Sequence, residues 1–356
     1  MRCPATPLML FALATLPVPL TAQWHTVDVG TTTEFRSAWA PTDSVLWAGG
    51  RDGIVVRTTD AGSTWSADTI AGAQDLFFIG IWAADADTAV ALGTGFQTSV
   101  ARIYRTTDGG DTWTESWRDE RDGIFLDALA FWDDGHGLAF GDPIDSAFVV
   151  LATDDGGTSW QQVPRDVLPP PLAGEAGFAA SGRALVTAPG GHAWFGTGGG
   201  AQARVFHTPD YGATWHATVT PLASGASAGI FALAFRDSLD GYAVGGDHTQ
   251  RAAASDNVLR TQDGGKTWVV AGSSLPAGVR YGATVAPVMA DSADSAASAP
   301  PILIAVGPSG SGYSTDHGAS WTVIDHQHWN TVSFGPGGAA WVLGMAGKVG
   351  RWVSEQ

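Results

Sequence analysis

A chain of 356 residues with 44% apolar residues can bury a large core, and 47 glycines and 16 tryptophans at only 15% charged residues describe short strands joined by tight turns, not helical bundles or disordered tails. A formal charge of −17 repels phosphate backbones and anionic lipid, which disfavours nucleic-acid and membrane-surface binding. The single cysteine, Cys3, leaves the rest of the chain without disulfides, cysteine metal sites or cysteine nucleophiles.

In chain order, residues 1–22 come first. Arg2 supplies an early positive charge, residues 8–20 a short apolar stretch, and Thr21-Ala22 a small residue before the polar Gln23. This is the pattern of a secretory signal peptide cleaved near Ala22, so the protein is expected to be exported, periplasmic or secreted. The stretch is short for a membrane span and is interrupted by Pro17 and Pro19, so no stable membrane insertion is expected. Residues 23–356 then read as one domain.

Trp24-His25-Thr26-Val27-Asp28-Val29 reads as a lone strand. After it, the pattern Ser/Thr-x-Asp-x-Gly-x-Thr/Ser-Trp occurs six times, with aspartates at Asp60, Asp108, Asp155, Asp210, Asp263 and Asp316. The matching tryptophans are Trp65, Trp113, Trp160, Trp215, Trp268 and Trp321. A turn aspartate accepts backbone N–H bonds from residues just ahead, glycine supplies a positive φ, and the indole lies on the neighbouring sheet. Each copy offers one carboxylate where calcium needs about six to eight oxygens, so the motif is read as structural. A second repeat, an apolar run ending in glycine, occurs seven times, at Gly49, Gly93, Gly141, Gly196, Gly245, Gly307 and Gly344. The glycines set the count of units, and the seventh lacks the Asp turn.

Each unit thus reads as strand, strand ending in glycine, strand, Asp turn, strand. The spacing predicts an all-β chain, a seven-bladed β-propeller of four-stranded antiparallel blades, six with Asp-box turns. The last unit has only three strands of its own, so the lone N-terminal strand is predicted to supply the fourth and close the ring. Leu168-Pro169-Pro170-Pro171-Leu172 and the Ala-, Ser- and Asp-rich stretch 291–301 read as loops.

The stretch from Phe35-Arg36-Ser37-Ala38-Trp39 through Gly49-Gly50 to the first Asp turn resembles the photosystem II stability and assembly factor-like propellers, and the likeness extends over all seven units. It is also similar to the wider Asp-box, or BNR-repeat, class, which includes sialidases, certain glycoside hydrolases and sortilin-type receptors. The assembly-factor resemblance implies a non-catalytic scaffold that docks a protein or peptide client, with arginines on the binding surface. Arg36 and Arg280 fit that role, although only two lysines, Lys266 and Lys348, accompany them.

In a propeller, the loops opposite the Asp turns form the binding face. They fall at residues 93–101, 142–146, 197–203, 247–257 and 308–311, together with 117–122, 279–281 and 325–329. Near the axis, first strands offer Arg36, Asp127, Arg280, Tyr281 and Asn330, and the loops add Asp142, Asp247 and His248. These are the candidate binding residues, set against an axis that is simply a polar, water-filled channel. The alternative function is a glycan-active hydrolase, sialidase- or glycosidase-like, using Asp142 with Asp145 or Asp247. No tyrosine is recognisably paired with a glutamate as a sialidase nucleophile, so no catalytic residue is assigned. His326-Gln327-His328, with Asp325 and with Asp247-His248 from a neighbouring loop, has chelating spacing, but ordinary loop polarity is the favoured reading and no metal or cofactor is assigned. A monomer is expected unless the chain joins a larger complex.

Overall fold

The computed structural model describes residues 23–253, 256–287 and 301–353. The expected leader, 1–22, and nearly all of the 291–301 insertion lie outside the described residues. The described chain forms seven four-stranded antiparallel sheets, a seven-bladed β-propeller. Blade 1 contains β2 (Phe35–Trp39), β3 (Leu46–Gly50), β4 (Ile54–Thr58) and β5 (Ser66–Thr69). Blade 2 contains β6 (Phe77–Ala83), β7 (Ala89–Thr94), β8 (Ala101–Thr106) and β9 (Thr114–Asp119). Blade 3 contains β10 (Leu126–Phe131), β11 (Gly137–Ile144), β12 (Ala147–Thr153) and β13 (Gln161–Gln162). Blade 4 contains β14 (Leu185–Ala188), β15 (His192–Gly196), β16 (Arg204–Thr208) and β17 (His216–Val219). Blade 5 contains β18 (Ala228–Phe235), β19 (Gly241–Asp247), β20 (Val258–Thr261) and β21 (Val269–Gly272). Blade 6 contains β22 (Gly282–Val285), β23 (Leu303–Gly307), β24 (Gly310–Ser314) and β25 (Thr322–Asp325).

Blade 7 joins β26 (Thr331–Phe334), β27 (Ala340–Leu343) and β28 (Val349–Val353) to β1 (Gln23–Val27). The lone N-terminal strand therefore closes the ring. It runs antiparallel to β28 with Trp24 opposite Trp352. The Trp24 ring is buried edge-on against Trp352 at 5.2 Å, and its indole N–H donates to Ser311 Oγ at 2.8 Å. Pairing the last strand with the first leaves the ring without an exposed seam.

The glycines that end each second strand have a packing cause. A Cβ on Gly141 would stand 2.2 Å from the Phe125 carbonyl oxygen, and one on Gly245 would stand 1.9 Å from that of Gly229. At these two positions backbone in or just before the first strand fills the space where a side chain would sit, so only glycine fits there. First and second strands are buried almost throughout, whereas outer strands such as β5 are exposed. This gradient follows from blades packing face to face around an axis.

All six Asp turns share one hydrogen-bond pattern. The carboxylate Oδ1 accepts the backbone N–H four residues ahead at 2.8–2.9 Å. It also accepts the Ser/Thr hydroxyl two residues behind. Oδ2 accepts the hydroxyl four residues ahead. Each carboxylate is committed to its own turn. Two turn tryptophans pack edge-on across blades, Trp65 on Trp341 at 5.8 Å and Trp113 on Trp47 at 6.0 Å, fastening blade 1 to blades 7 and 2. No helix among the described residues is long and apolar enough to cross a membrane.

Candidate functional site

The axis is blocked. Between the proline-rich loop and β14, the chain turns inward and residues 176–184 cross the centre of the ring. Ala179 O accepts from Arg36 Nη1 in blade 1 at 3.1 Å, and Gly177 N donates to Asp142 Oδ1 in blade 3 at 2.8 Å. Arg183 O accepts from Leu233 N in blade 5, and Ser181 O accepts from Thr331 Oγ1 in blade 7, each at 2.9 Å. The sharp turn needs Gly182, whose φ of +69° is in the left-handed region and whose missing Cβ would meet the Ile79 carbonyl oxygen at 2.8 Å. At its entry, the buried Glu175 carboxylate accepts from Arg204, from Thr197 Oγ1 at 2.6 Å and from Leu172 N at 2.7 Å. A water-filled channel through the molecule is thereby replaced by two blind cavities.

The cavity on the loop face has a volume of about 320 Å3. Its floor includes Gly177, Phe178, Ala179 and Ala180 of the plug, and its walls include Arg36, Asp127, Asp142, His248 and Tyr281. Five of the eight sequence-nominated residues thus converge. Register shifts explain how. The pairing of β2 with β3 skips Arg36, that of β10 with β11 skips Asp127, and that of β18 with β19 skips Phe231. A bulge residue has no partner in the ladder and can be turned out of the strand face, here toward the axis.

Arg36 is tied down rather than free. Its Nε donates to Glu34 Oε1 at 2.9 Å, and its guanidinium lies 5.3 Å from the Phe77 ring centre and 5.5 Å from that of Phe96. Burial pushes the Glu34 carboxyl up, but Arg36 and Arg51 together outweigh burial and hold it below its ordinary value. Asp127 is 1% exposed, and burial, reinforced by the charge of Asp142, raises its carboxyl well above the usual range. Burial pushes Asp142 up to about 6 against the lowering hydrogen bond from Gly177. Tyr281 is likewise raised, chiefly by burial. His248 faces the rings of Phe178 and Phe231, each at 6.4 Å.

The other three nominated residues lie elsewhere. Arg280 is fully buried, donating to Ser274 Oγ at 2.6 Å and to Gly310 O at 2.9 Å, and burial lowers its pKa to about 10. It braces blade 6 from inside and presents nothing to a partner. Arg280 and its neighbour Tyr281, both just before β22, go to different places: Tyr281 lines the cavity and Arg280 the interior. Asn330 is buried, donating to Phe35 O at 2.9 Å. Asp247 caps its own loop, accepting from Thr249 N and Oγ1 and from Gln250, and the Thr249 bonds hold its carboxyl below the ordinary range. Asp145 is exposed, 3.7 Å from Arg165.

His328 contacts Asn330 Oδ1 at 2.9 Å, and Asp325 accepts from the Trp329 indole and Ser311 Oγ. Among the described residues no group of three or more His, Cys, Asp or Glu is placed to hold a metal ion. The Asp turns lie toward the opposite face. The cavity at that end is about 340 Å3 and includes Trp39, Thr187, Arg183 and Thr284 in its wall.

Sequence reasoning did not name Phe96, Phe125, Phe178, Phe231 and Arg251, which complete the loop-face cavity. Phe231 was findable, because it holds the same place in its repeat as Arg36 and Asp127. Phe178 was not, because it belongs to the plug, which has no counterpart in the other units.

No family model matches the chain, and no curated protein matches it. Solved structures do. The fold is similar to YCF48 from Cyanidioschyzon merolae at 16% identity and a TM-score of 0.64, covering 94% of this chain and 100% of that one. It is similar to the Pan2 WD40 domain of Neurospora crassa at 12% identity and a TM-score of 0.63, covering 95% of this chain and 97% of that one. It is also similar to the GH74 xyloglucanase of Xanthomonas campestris at 16% identity and a TM-score of 0.62, covering 92% of this chain but 53% of the enzyme. At such identities the likeness is one of fold.

Proposed function

We propose that this protein is an exported, non-catalytic docking scaffold that holds a protein or peptide client on its loop face, with one segment of the client seated in the axial cavity. The observation behind this reading is the composition of that cavity. Phe96, Phe125, Phe178, Phe231 and Tyr281 supply apolar wall, while two arginines and two aspartates supply orienting polar groups. Its volume of about 320 Å3 suits a side chain or short segment. Phe96, 44% exposed at the rim, offers an aromatic anchor beside it. The likeness to YCF48 is one of fold and leaves the docking reading to rest on the cavity. Export rests on the leader-like residues 1–22.

Selection from a displayed random-peptide library tests the proposal. Wild-type protein is expected to enrich peptides whose binding is lost in an Ala179→Trp variant that fills the cavity but keeps the wild-type circular dichroism. Failure to enrich any peptide, or enrichment of peptides that bind both proteins equally, contradicts it.

A glycan-active hydrolase is the second reading, favoured by one observation, the adjacent carboxyls of Asp127 and Asp142 in a cavity. Burial raises Asp127 well above the usual range and Asp142 to about 6, so near neutral pH the pair holds one protonated acid and one ionised carboxylate, the division that glycoside hydrolysis uses. Turnover of aryl-glycosides or xyloglucan by pure protein, abolished by Asp142→Asn, would promote this reading over docking.

A further inference from the structure

Asp127 carries a signal that docking alone does not use. Its Oδ2 is buried without any hydrogen-bond partner, although the residue forms part of the cavity wall. A buried polar atom left unpaired is unfavourable, and one beside a cavity calls for a functional explanation. Asp142 lies next to it by register. Leu126 pairs with Gly141, and Asp142 N donates to Phe125 O at 2.9 Å, so the two aspartates flank that pair on adjacent strands. Gly177 covers both. Its N–H bonds Asp142 Oδ1, and a Cβ there would stand 2.4 Å from Asp127 Oδ2.

We propose that Asp127 and Asp142 form a subsite for a primary ammonium group, the side chain of a lysine in the docked client. The inference rests on the docking reading and specifies its chemistry. An ammonium brings three donors and a positive charge to carboxylates that otherwise face each other. Phe96, Phe125 and Phe178 line the same cavity and supply apolar wall for the methylene stem of a lysine. Calcium needs about six to eight oxygens, and the two aspartates are not joined by a third metal-ligating side chain among the described residues. The chain's charge of −17 draws basic segments toward it.

The other charged and titratable groups in the cavity wall are Arg36, Arg251, His248 and Tyr281. Arg36 is paired with Glu34 at 2.9 Å, and Arg251 is exposed at the mouth with its Nε on His248 O at 3.2 Å. Neither cation is buried with the aspartates. Because burial and mutual repulsion favour protonation of the empty pair, an ammonium must displace a proton, and binding should strengthen as pH rises.

The test uses the protein from residue 23 onward and Nα-acetyl-lysine amide as probe, followed by calorimetry at about pH 8 and about pH 5. Saturable binding is expected at the higher pH, weakened at least about tenfold at the lower pH and in both Asp127→Asn and Asp142→Asn. The Nε-acetylated probe, which has no charge, should not bind. Asp142→Asn keeps the Gly177 hydrogen bond, so it remains informative if Asp127→Asn fails to fold. Amine binding that survives Asp142→Asn overturns the proposal, as does equal binding of the Nε-acetylated probe or binding of calcium with no response to the amine. Selected peptides that occupy the cavity but contain no lysine, and ignore Asp142→Asn, overturn the ammonium subsite and leave docking intact. Failure to select any cavity-dependent peptide defeats the docking reading itself.

Discussion

Asp142 holds its proton more tightly in the folded protein than in the unfolded chain, because burial raises its pKa from 3.8 to about 6. Its contribution to stability is fully present below the unfolded value and is lost as pH rises toward about 6, so at neutral pH the ionised group is a liability. Asp142→Asn should therefore raise the melting temperature by a few degrees near pH 7, with the gain shrinking toward pH 4, as differential scanning calorimetry at several pH values would show. The turn aspartates have the opposite sign. Hydrogen bonds from Thr112, side chain first, lower Asp108 to about 2, so its contribution is present above the unfolded value and lost as pH falls toward about 2. A protein whose stability loss at low pH is unchanged by Asp108→Asn would contradict that account. At this scale the sequence was readable where a residue obeys its repeat. Arg36 and Asp127 line the axial cavity, whereas Arg280, one residue before Tyr281, is turned into the interior.

The plug is the element on which the site depends. Residues 176–184 turn an open ring into a floored cavity, and Glu175 anchors their entry through Arg204, Thr197 and Leu172. Removing one partner of a buried ion pair leaves the other uncompensated, so Glu175→Ala should destabilise the fold by about 3–5 kcal/mol. It should also admit protease to the 170–184 region before the blades, as limited proteolysis with mass spectrometry would show. Cleavage elsewhere first, with melting unchanged, would mean that the anchor is dispensable. The strands and Asp turns were legible because each is specified locally, by alternation and by turn chemistry within eight residues. The plug was not. Gly177-Phe178-Ala179-Ala180-Ser181-Gly182 has no strand or helix period, and the bonds that place it reach to blades 1, 3, 5 and 7.

At the scale of the whole molecule, ring closure and charge set the behaviour. The seven strand-ending glycines counted the blades correctly, and the first described strand completes the seventh. Trp24→Ala removes a buried indole together with its bond to Ser311 and should cost about 3–5 kcal/mol, measured by denaturant unfolding. It should also loosen β1 and expose β28, so that light scattering detects dimers or larger species; an unchanged unfolding midpoint and a strictly monomeric variant would show that the closure is weak. At this scale the net charge of −17 favours a basic client segment over an acidic one. The most direct test is a crystal structure of the protein with a peptide selected for cavity-dependent binding. Peptide density is expected on the loop face, with a side chain entering between Tyr281 and Asp142 above the 176–184 plug. Density confined to the opposite cavity beside Trp39 and Arg183, or to the rim of Asp turns, would contradict it.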